Sequence, residues 1–307
     1  MPSNIEIKQL SHTYKEGYQA LNNINLSFDR GLYGLLGPNG AGKSTLMKIL
    51  CTLITPTEGQ VRICGNDVTK DPIAVRRHLG YLPQEFGAWR NYRVEEVLDI
   101  LARFSGINDN KTRRNAITRV LDEVGLGEIA ARKVKKLSGG MLRRLGIAQA
   151  LIHEPKVIIV DEPTVGLDPE ERIRFRNVLS NLGLDRTVIL STHIVADLGG
   201  ACNAIALLDA GKVVFQGPPS ELVLAAAGRV FQSSITETEL DEYEKKYDLV
   251  STSLSSDKII VRGIANKSGI PKNAEQVIEP TLEESYLAFM TSDLLPINHS
   301  TEESICN

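Results

Sequence analysis

The sequence predicts an α/β fold built around a mainly parallel sheet, on three observations. The runs "LYGLL", "VIIVD" and "TVILST" are short and mostly apolar, the pattern of strands covered on both faces. Helical patterns recur at 42–53, 93–104, 112–124, 140–153 and 169–182, placing helices between those strands. And "GPNGAGKST" follows the first of these runs directly and opens a helix, the setting that a phosphate-binding loop requires.

Taken in order, "NINLSF" and "GQVRIC" alternate apolar and polar residues and read as half-buried antiparallel strands. The α/β pattern fills the first 200 residues. "AIALLDAGKVVFQG" is a hairpin signal, with Asp209 to Lys212 as its turn, and Gly217-Pro218-Pro219 closes that layout. Beyond about 228 the chain becomes more polar, with a helix expected at 236–247, a strand at "KIIVRG" and a helix at "TLEESYLAFM". The expected organisation is one large domain over 1–220, with a helical part at about 85–150, an accessory α+β domain over 221–291 and a flexible tail over 292–307.

Bulk properties narrow the function classes. The chain has 307 residues, 42% hydrophobic and 24% charged, with net charge −3, so no surface built mainly to neutralise nucleic-acid phosphates is expected. The basic stretch Arg132, Lys133, Lys135 and Lys136 reads as a solvated face. Cys51, Cys64, Cys202 and Cys306 have no metal or disulfide spacing and suit a reducing cytoplasm. No window approaches 18 uninterrupted apolar residues and the N-terminus lacks a signal pattern, so neither a membrane span nor secretion is expected.

In "GPNGAGKST", Gly37 is followed by Pro38, Asn39, Gly40 and Ala41, then by Gly42, Lys43, Ser44 and Thr45. Backbone amides of such a loop converge on phosphate oxygens, aided by the positive end of the helix. Lys43 would reach the β- and γ-phosphates and Ser44 would hold Mg²⁺. "KVIIVDEPT" then sets two carboxylates at a strand end: Asp161 suits the Mg²⁺ shell, and Glu162 suits orienting and deprotonating an attacking water. The bland alternative, a carboxylate pair capping the next helix, leaves two adjacent acids after a buried strand unexplained. "LSGGMLRRLGIAQAL" poses a different problem, since Gly139 and Gly140 each weaken a helix start by up to about 1 kcal/mol. Something is expected to approach that backbone closely; Ser138 also fits an ordinary N-cap.

With the phosphate loop, the Asp161-Glu162-Pro163 stretch and "LSGG" in place, the sequence resembles the ATP-binding cassette (ABC) family over roughly residues 4 to 217. The resemblance implies a P-loop NTPase of the ABC type with an antiparallel β subdomain, a helical signature subdomain and here a small C-terminal α+β appendage. It implies that ATP and Mg²⁺ bind, and that Ser138, Gly139 and Gly140 close over the ATP of a second subunit. By the same resemblance, Gln84 in "YLPQEFG" senses Mg²⁺ and the attacking water, Asp168 in "GLDP" belongs to the dimer-contact loop, His193 in "STHI" contacts the γ-phosphate, and Tyr14 in "SHTY" lies under adenine. Glu162, His193 and Gln84 are thus the catalytic candidates, and Ser44, Gln84 and Asp161 the metal ligands. One departure is Met141 where the family usually has glutamine, which removes a capping-box partner for Ser138.

One phosphate loop and one signature imply a dimer, of identical or sister chains, and transport would need a separate integral membrane permease. The segment from Gln84 to about Gly106 and the appendage ending "TLEESYLAFM" look like the ATPase subunits of drug, antibiotic or bacteriocin exporters. The expected place is cytoplasmic, at the inner face of the membrane through that permease, with no nucleic-acid partner. A soluble cassette ATPase of translation or DNA repair is the alternative; against it stand the single cassette, the absence of a long coiled coil between Gln84 and Ser138, and the mildly acidic balance. A small-molecule kinase leaves "LSGG" without an account. Phe86, Trp89 and Tyr92 cluster just after Gln84 and include the only tryptophan, reading either as local core or as a docking surface for the permease.

Overall fold

The computed structural model describes residues 3–199, 202–255, 258–265 and 269–291. Among these the chain divides into two compact units between Gln216 and Gly217.

The first unit holds two sheets. Strands β1 (Ile5–Thr13), β2 (Gln19–Phe28), β4 (Glu58–Ile63) and β5 (Asn66–Asp67) form an antiparallel sheet in the order β2-β1-β4-β5. Its register explains the alternation: Ile5 pairs with Phe28 and Ile63, and Ile7 with Leu26 and Val61, so six buried apolar side chains share one face. β1 was not read from the sequence. The second sheet orders β3 (Gly31–Leu36), β6 (Leu79–Leu82), β7 (Val157–Asp161), β8 (Thr187–Thr192), β9 (Ala204–Asp209) and β10 (Lys212–Gly217) as β10-β9-β3-β8-β7-β6. β7 and β8 are buried along their whole length, as their unbroken apolar character predicts. The turn between β9 and β10 is Ala210-Gly211, both at positive φ (43° and 76°), the condition for a tight two-residue hairpin.

Helix α1 (Lys43–Leu50) lies in one continuous core with both sheets: Leu46, Met47, Ile49 and Leu50 join Ile5, Leu26 and Val61 on one side and Val157, Ile159 and Ile189 on the other. α2 (Pro72–Arg77) is a short helix with Asp71 as N-cap and Pro72 at its first position. The helical part consists of α3 (Val94–Phe104), α4 (Asn110–Glu123) and α5 (Gly139–Leu151). α4 begins two residues before the expected helix because Asp109 caps it, accepting from the Thr112 amide at 2.7 Å. α6 (Pro169–Gly183) starts with Asp168 as N-cap and Pro169 behind it.

In the second unit, α7 (Pro219–Ala226), β11 (Val230–Ile235), α8 (Glu237–Lys246), β12 (Asp248–Ser255), β13 (Lys258–Ile264), β14 (Glu275–Gln276) and α9 (Leu282–Thr291) surround a sheet ordered β12-β13-β11-β14. Gly217-Pro218-Pro219 ends β10 and also opens α7, so the division between Gln216 and Gly217 falls four residues before the boundary expected after residue 220. Glu284, buried at the start of α9, binds Arg262 of β13 through Nε at 2.7 Å and Nη2 at 3.0 Å. The tail over 292–307 lies outside the described residues.

Candidate active site

The phosphate loop leaves β3 at Leu36 and enters α1 at Lys43. Glycine is required at two points by close approach. A Cβ on Gly37 would lie 2.2 Å from the Leu208 carbonyl oxygen, and one on Gly42 (φ 106°) would lie 2.5 Å from that of Ala20. Gly40 (φ 84°) faces open space, and Pro38, Asn39 and Gly40 are exposed while Ala41 is buried. No side chain caps α1, which leaves its first-turn amides to a ligand. Lys43 is buried: its Nζ donates to the carbonyls of Gly37 (2.6 Å) and Pro38 (3.0 Å) and lies 4.0 Å from Glu162 Oε1. Burial pushes the Lys43 pKa down, and the charges of Glu162 and Asp161 oppose that push. Ser44 is exposed, and the buried Thr45 hydroxyl shares a 3.1 Å hydrogen bond with Tyr14. Tyr14 packs edge to face with His12, ring centroids 4.7 Å apart.

Parallel pairing brings the remaining candidates to the same end of the sheet. Leu36 is in register with Thr192, Asp161 with Ser191, and Leu82 with Val160. The phosphate loop, His193, Glu162 and Gln84 therefore all emerge at the C-terminal edge, where open α/β sheets bind ligands. Asp161 is buried, which pushes its pKa up, and its Oδ1 has no hydrogen-bond partner among the described residues. Glu162 adopts φ 46°, an uncommon conformation for a non-glycine residue, anchored by its amide donating to the Ser191 carbonyl at 2.9 Å. Its Oε2 lies 2.5 Å from His193 Nδ1, while Oε1 faces Lys43. Gln84 is exposed, and its carbonyl accepts from Arg143 Nη1 at 2.6 Å.

These residues fit Mg²⁺ with a nucleotide phosphate. An Asp161 oxygen with no hydrogen-bond partner among the described residues suits a cation, and Ser44, Asp161 and Gln84 can offer hard oxygen ligands.

The signature stretch stands apart. Ser138 caps α5, accepting from the Met141 amide at 3.2 Å, and no reciprocal side-chain bond completes a capping box. The two glycines differ in their surroundings. A Cβ on Gly140 would fall 2.1 Å from Glu171 Oε2, so this buried glycine makes room for its own chain. Gly139 is exposed, and its Cβ would meet only Leu167 Cδ2, at an ordinary 3.7 Å. Asp168 accepts from the Glu171 amide at 2.9 Å, so the Asp168 loop and the signature meet through Leu167 and Glu171. Among the described residues no hydrogen bond or ion pair joins Ser138, Gly139 or Gly140 to the loop from Gly37 to Thr45.

Three contacts escaped sequence reading. Tyr18 donates its hydroxyl to the Gly40 carbonyl at 3.1 Å, Arg143 reaches the Gln84 carbonyl, and buried Asp197 binds the hydroxyls of Thr164 and Thr192. The Tyr18–Gly40, Arg143–Gln84 and Asp197–Thr164 contacts join residues 22, 59 and 33 positions apart, which no local pattern signals.

Comparison with known proteins agrees with this geometry. The ABC transporter family pattern matches residues 21–165. The chain is 32% identical over 253 residues to the Nod factor export ATP-binding protein I of Cupriavidus metallidurans, covering 82% of both chains. It is 36% identical over 225 residues to the probable multidrug ABC transporter ATP-binding protein YbhF of Escherichia coli; that match takes in 73% of this chain but spans 38% of the relative. Among solved structures, the ATP-binding cassette MJ0796, described as a dimeric post-hydrolysis state bound to ADP and Pi, superposes with a TM-score of 0.62 at 28% identity, covering 70% of this chain and 98% of that one. A phosphate loop at the sheet edge beside carboxylates at the strand ends suits a cassette, and the chain belongs to the ABC transporter family.

Proposed function

We propose that this chain is the ATP-hydrolysing subunit of an exporter, acting as a dimer on a separate membrane permease. The observation that carries the reading is the convergence of Lys43, Asp161, Glu162 and His193 at one sheet edge, with the exposed Ser138-Gly139 surface outside that site. The loop from Gly37 to Thr45 binds ATP phosphates through backbone amides, Lys43 contributes its ammonium, and Tyr14 offers a ring for adenine. Ser44, Asp161 and Gln84 would hold Mg²⁺, which when bound would supply charge neutralisation on the phosphates. Glu162 orients a water and takes its proton; the Nδ1 contact fixes the orientation of His193 beside that carboxylate.

Ser138, Gly139, Gly140 and Asp168 complete the site of the second cassette, which explains a signature with no bond to its own phosphate loop. The dimeric MJ0796 cassette supports this arrangement, and the export named for the Nod factor relative favours export over a translation or repair role. No helix of the described residues is long and apolar enough to cross a membrane, which suits a cytoplasmic subunit held at the membrane by its permease.

Glu162→Gln tests the reading. Turnover of Mg-ATP should fall about 10²–10⁴-fold, the worth of a positioned general base, while ATP binding persists and sedimentation shows a lasting dimer. Near-normal turnover would remove Glu162 from this role, and a wild-type chain that hydrolyses no ATP would overturn the reading.

A further inference from the structure

Behind the Glu162–His193 pair lies a buried polar cluster that the hydrolytic reading does not use. Asp197 is 4% exposed and Thr164 2% exposed, and Thr192 is fully buried. The Asp197 carboxylate oxygen Oδ2 accepts from the Thr164 hydroxyl and, at 3.0 Å, from the Thr192 hydroxyl. Thr192 in turn accepts from the Ile194 amide at 3.0 Å, which folds the backbone just around His193. Thr164 lies two residues beyond Glu162 on the segment leading to Asp168, and Thr192 directly precedes His193.

A buried carboxylate is costly unless its acceptor sites are filled, and apolar packing could have joined these two segments at lower cost. What hydroxyl–carboxylate bonds add is a fixed distance and direction between two loops. Those loops carry the two side chains that meet at 2.5 Å, and Glu162 holds a strained backbone that needs support from its surroundings.

We infer that Asp197 is a positioning residue for ATP hydrolysis: by holding the Thr164 and Thr192 hydroxyls together it sets Glu162 and His193 in register. The inference rests on the proposed hydrolytic role of that pair. Asp197 touches no reacting atom, and its effect passes through Thr164 to the Glu162 segment and through Thr192 to His193.

The test compares Asp197→Asn, Thr164→Val and Thr164→Ser with the wild-type chain, measuring kcat and KM for Mg-ATP. Turnover is expressed per nucleotide site counted by titration with Mg-ADP, which corrects for any unfolded fraction. Misplacing a catalytic group by a fraction of an ångström costs rate more than binding. The expected result is a fall in kcat per site of about tenfold or more for Asp197→Asn and Thr164→Val, with KM within about twofold of wild type. Thr164→Ser, which keeps the hydroxyl, should restore kcat. If Thr164→Val does not fold, Asp197→Asn, which preserves shape but replaces the charged acceptor of both hydroxyls by a weaker neutral amide, gives the same readout. Wild-type kcat per site in Asp197→Asn, or a loss confined to the number of binding sites, would overturn the inference. Wild-type turnover in Glu162→Gln would instead remove the hydrolytic pair itself, so the two failures are distinct.

Discussion

At the scale of single residues, the two signature glycines separate packing from function. Gly140 is backed by Glu171, which also pairs with Arg144 at 3.6 Å and Arg174 at 3.0 Å, so Gly140→Ala must displace a tethered carboxylate. Thermal unfolding should show a loss of about 1–3 kcal/mol, the usual cost of overpacking. Gly139→Ala meets nothing closer than 3.7 Å and removes a poor helix former, so its melting temperature should stay level or rise. Its ATPase activity should nonetheless fall, because the added methyl group intrudes on the surface offered to the partner's nucleotide; full activity would show that nothing approaches Gly139. Residues whose chemistry is written in consecutive positions, such as Lys43, Asp161 and Ser138, were legible in the sequence. Asp197, Tyr18 and Arg143 were not, since their partners lie 33, 22 and 59 positions away and only the folded sheet brings them together.

Among the elements, α3 and α4 are joined by an ion pair as well as by their apolar faces. Arg113, buried on α4, donates through Nε to Asp99 of α3 at 2.5 Å and through Nη1 to the Asn108 carbonyl at 2.9 Å. The hydrogen bonds from Arg113, and next from Arg103, hold the Asp99 carboxyl below its ordinary pKa. A carboxylate whose folded-state pKa is depressed adds stability that is present above its unfolded value, about 3.9, and lost as pH falls through the folded value. Asp99→Asn should therefore lower stability by about 1–3 kcal/mol at neutral pH, with the gap to wild type closing below about pH 4. A gap unchanged by acid would contradict the charged pair. Strong helices and fully buried strands were readable from periodicity, whereas α2, six residues long, is too short to show a period. β12 escaped for another reason: "DLVSTSLS" lies at a sheet edge, mostly exposed, so its serines and threonines carry no apolar alternation.

For the whole molecule, the exposed surfaces matter most. Of the three aromatics after Gln84, Phe86 packs inward against Gly146 of α5, where an added Cβ would lie 3.2 Å from its ring. Trp89 and Tyr92 are each 46% exposed, their ring centroids 6.1 Å apart. The core reading thus fits Phe86, and the docking reading fits the other two. Trp89→Ala should weaken binding to the permease by about 2 kcal/mol or more while melting temperature and basal ATPase stay near wild type; unchanged affinity would exclude Trp89 as an anchor. In the proposed dimer each hydrolytic site is built from two chains. The most direct test is ATP turnover in a demonstrably dimeric mixture of Ser138→Arg and Lys43→Ala chains, each inactive alone. In the mixed dimer one site collects both defects and the other collects neither, so activity should partly recover. A mixed dimer as inactive as its parents would contradict two independently working composite sites.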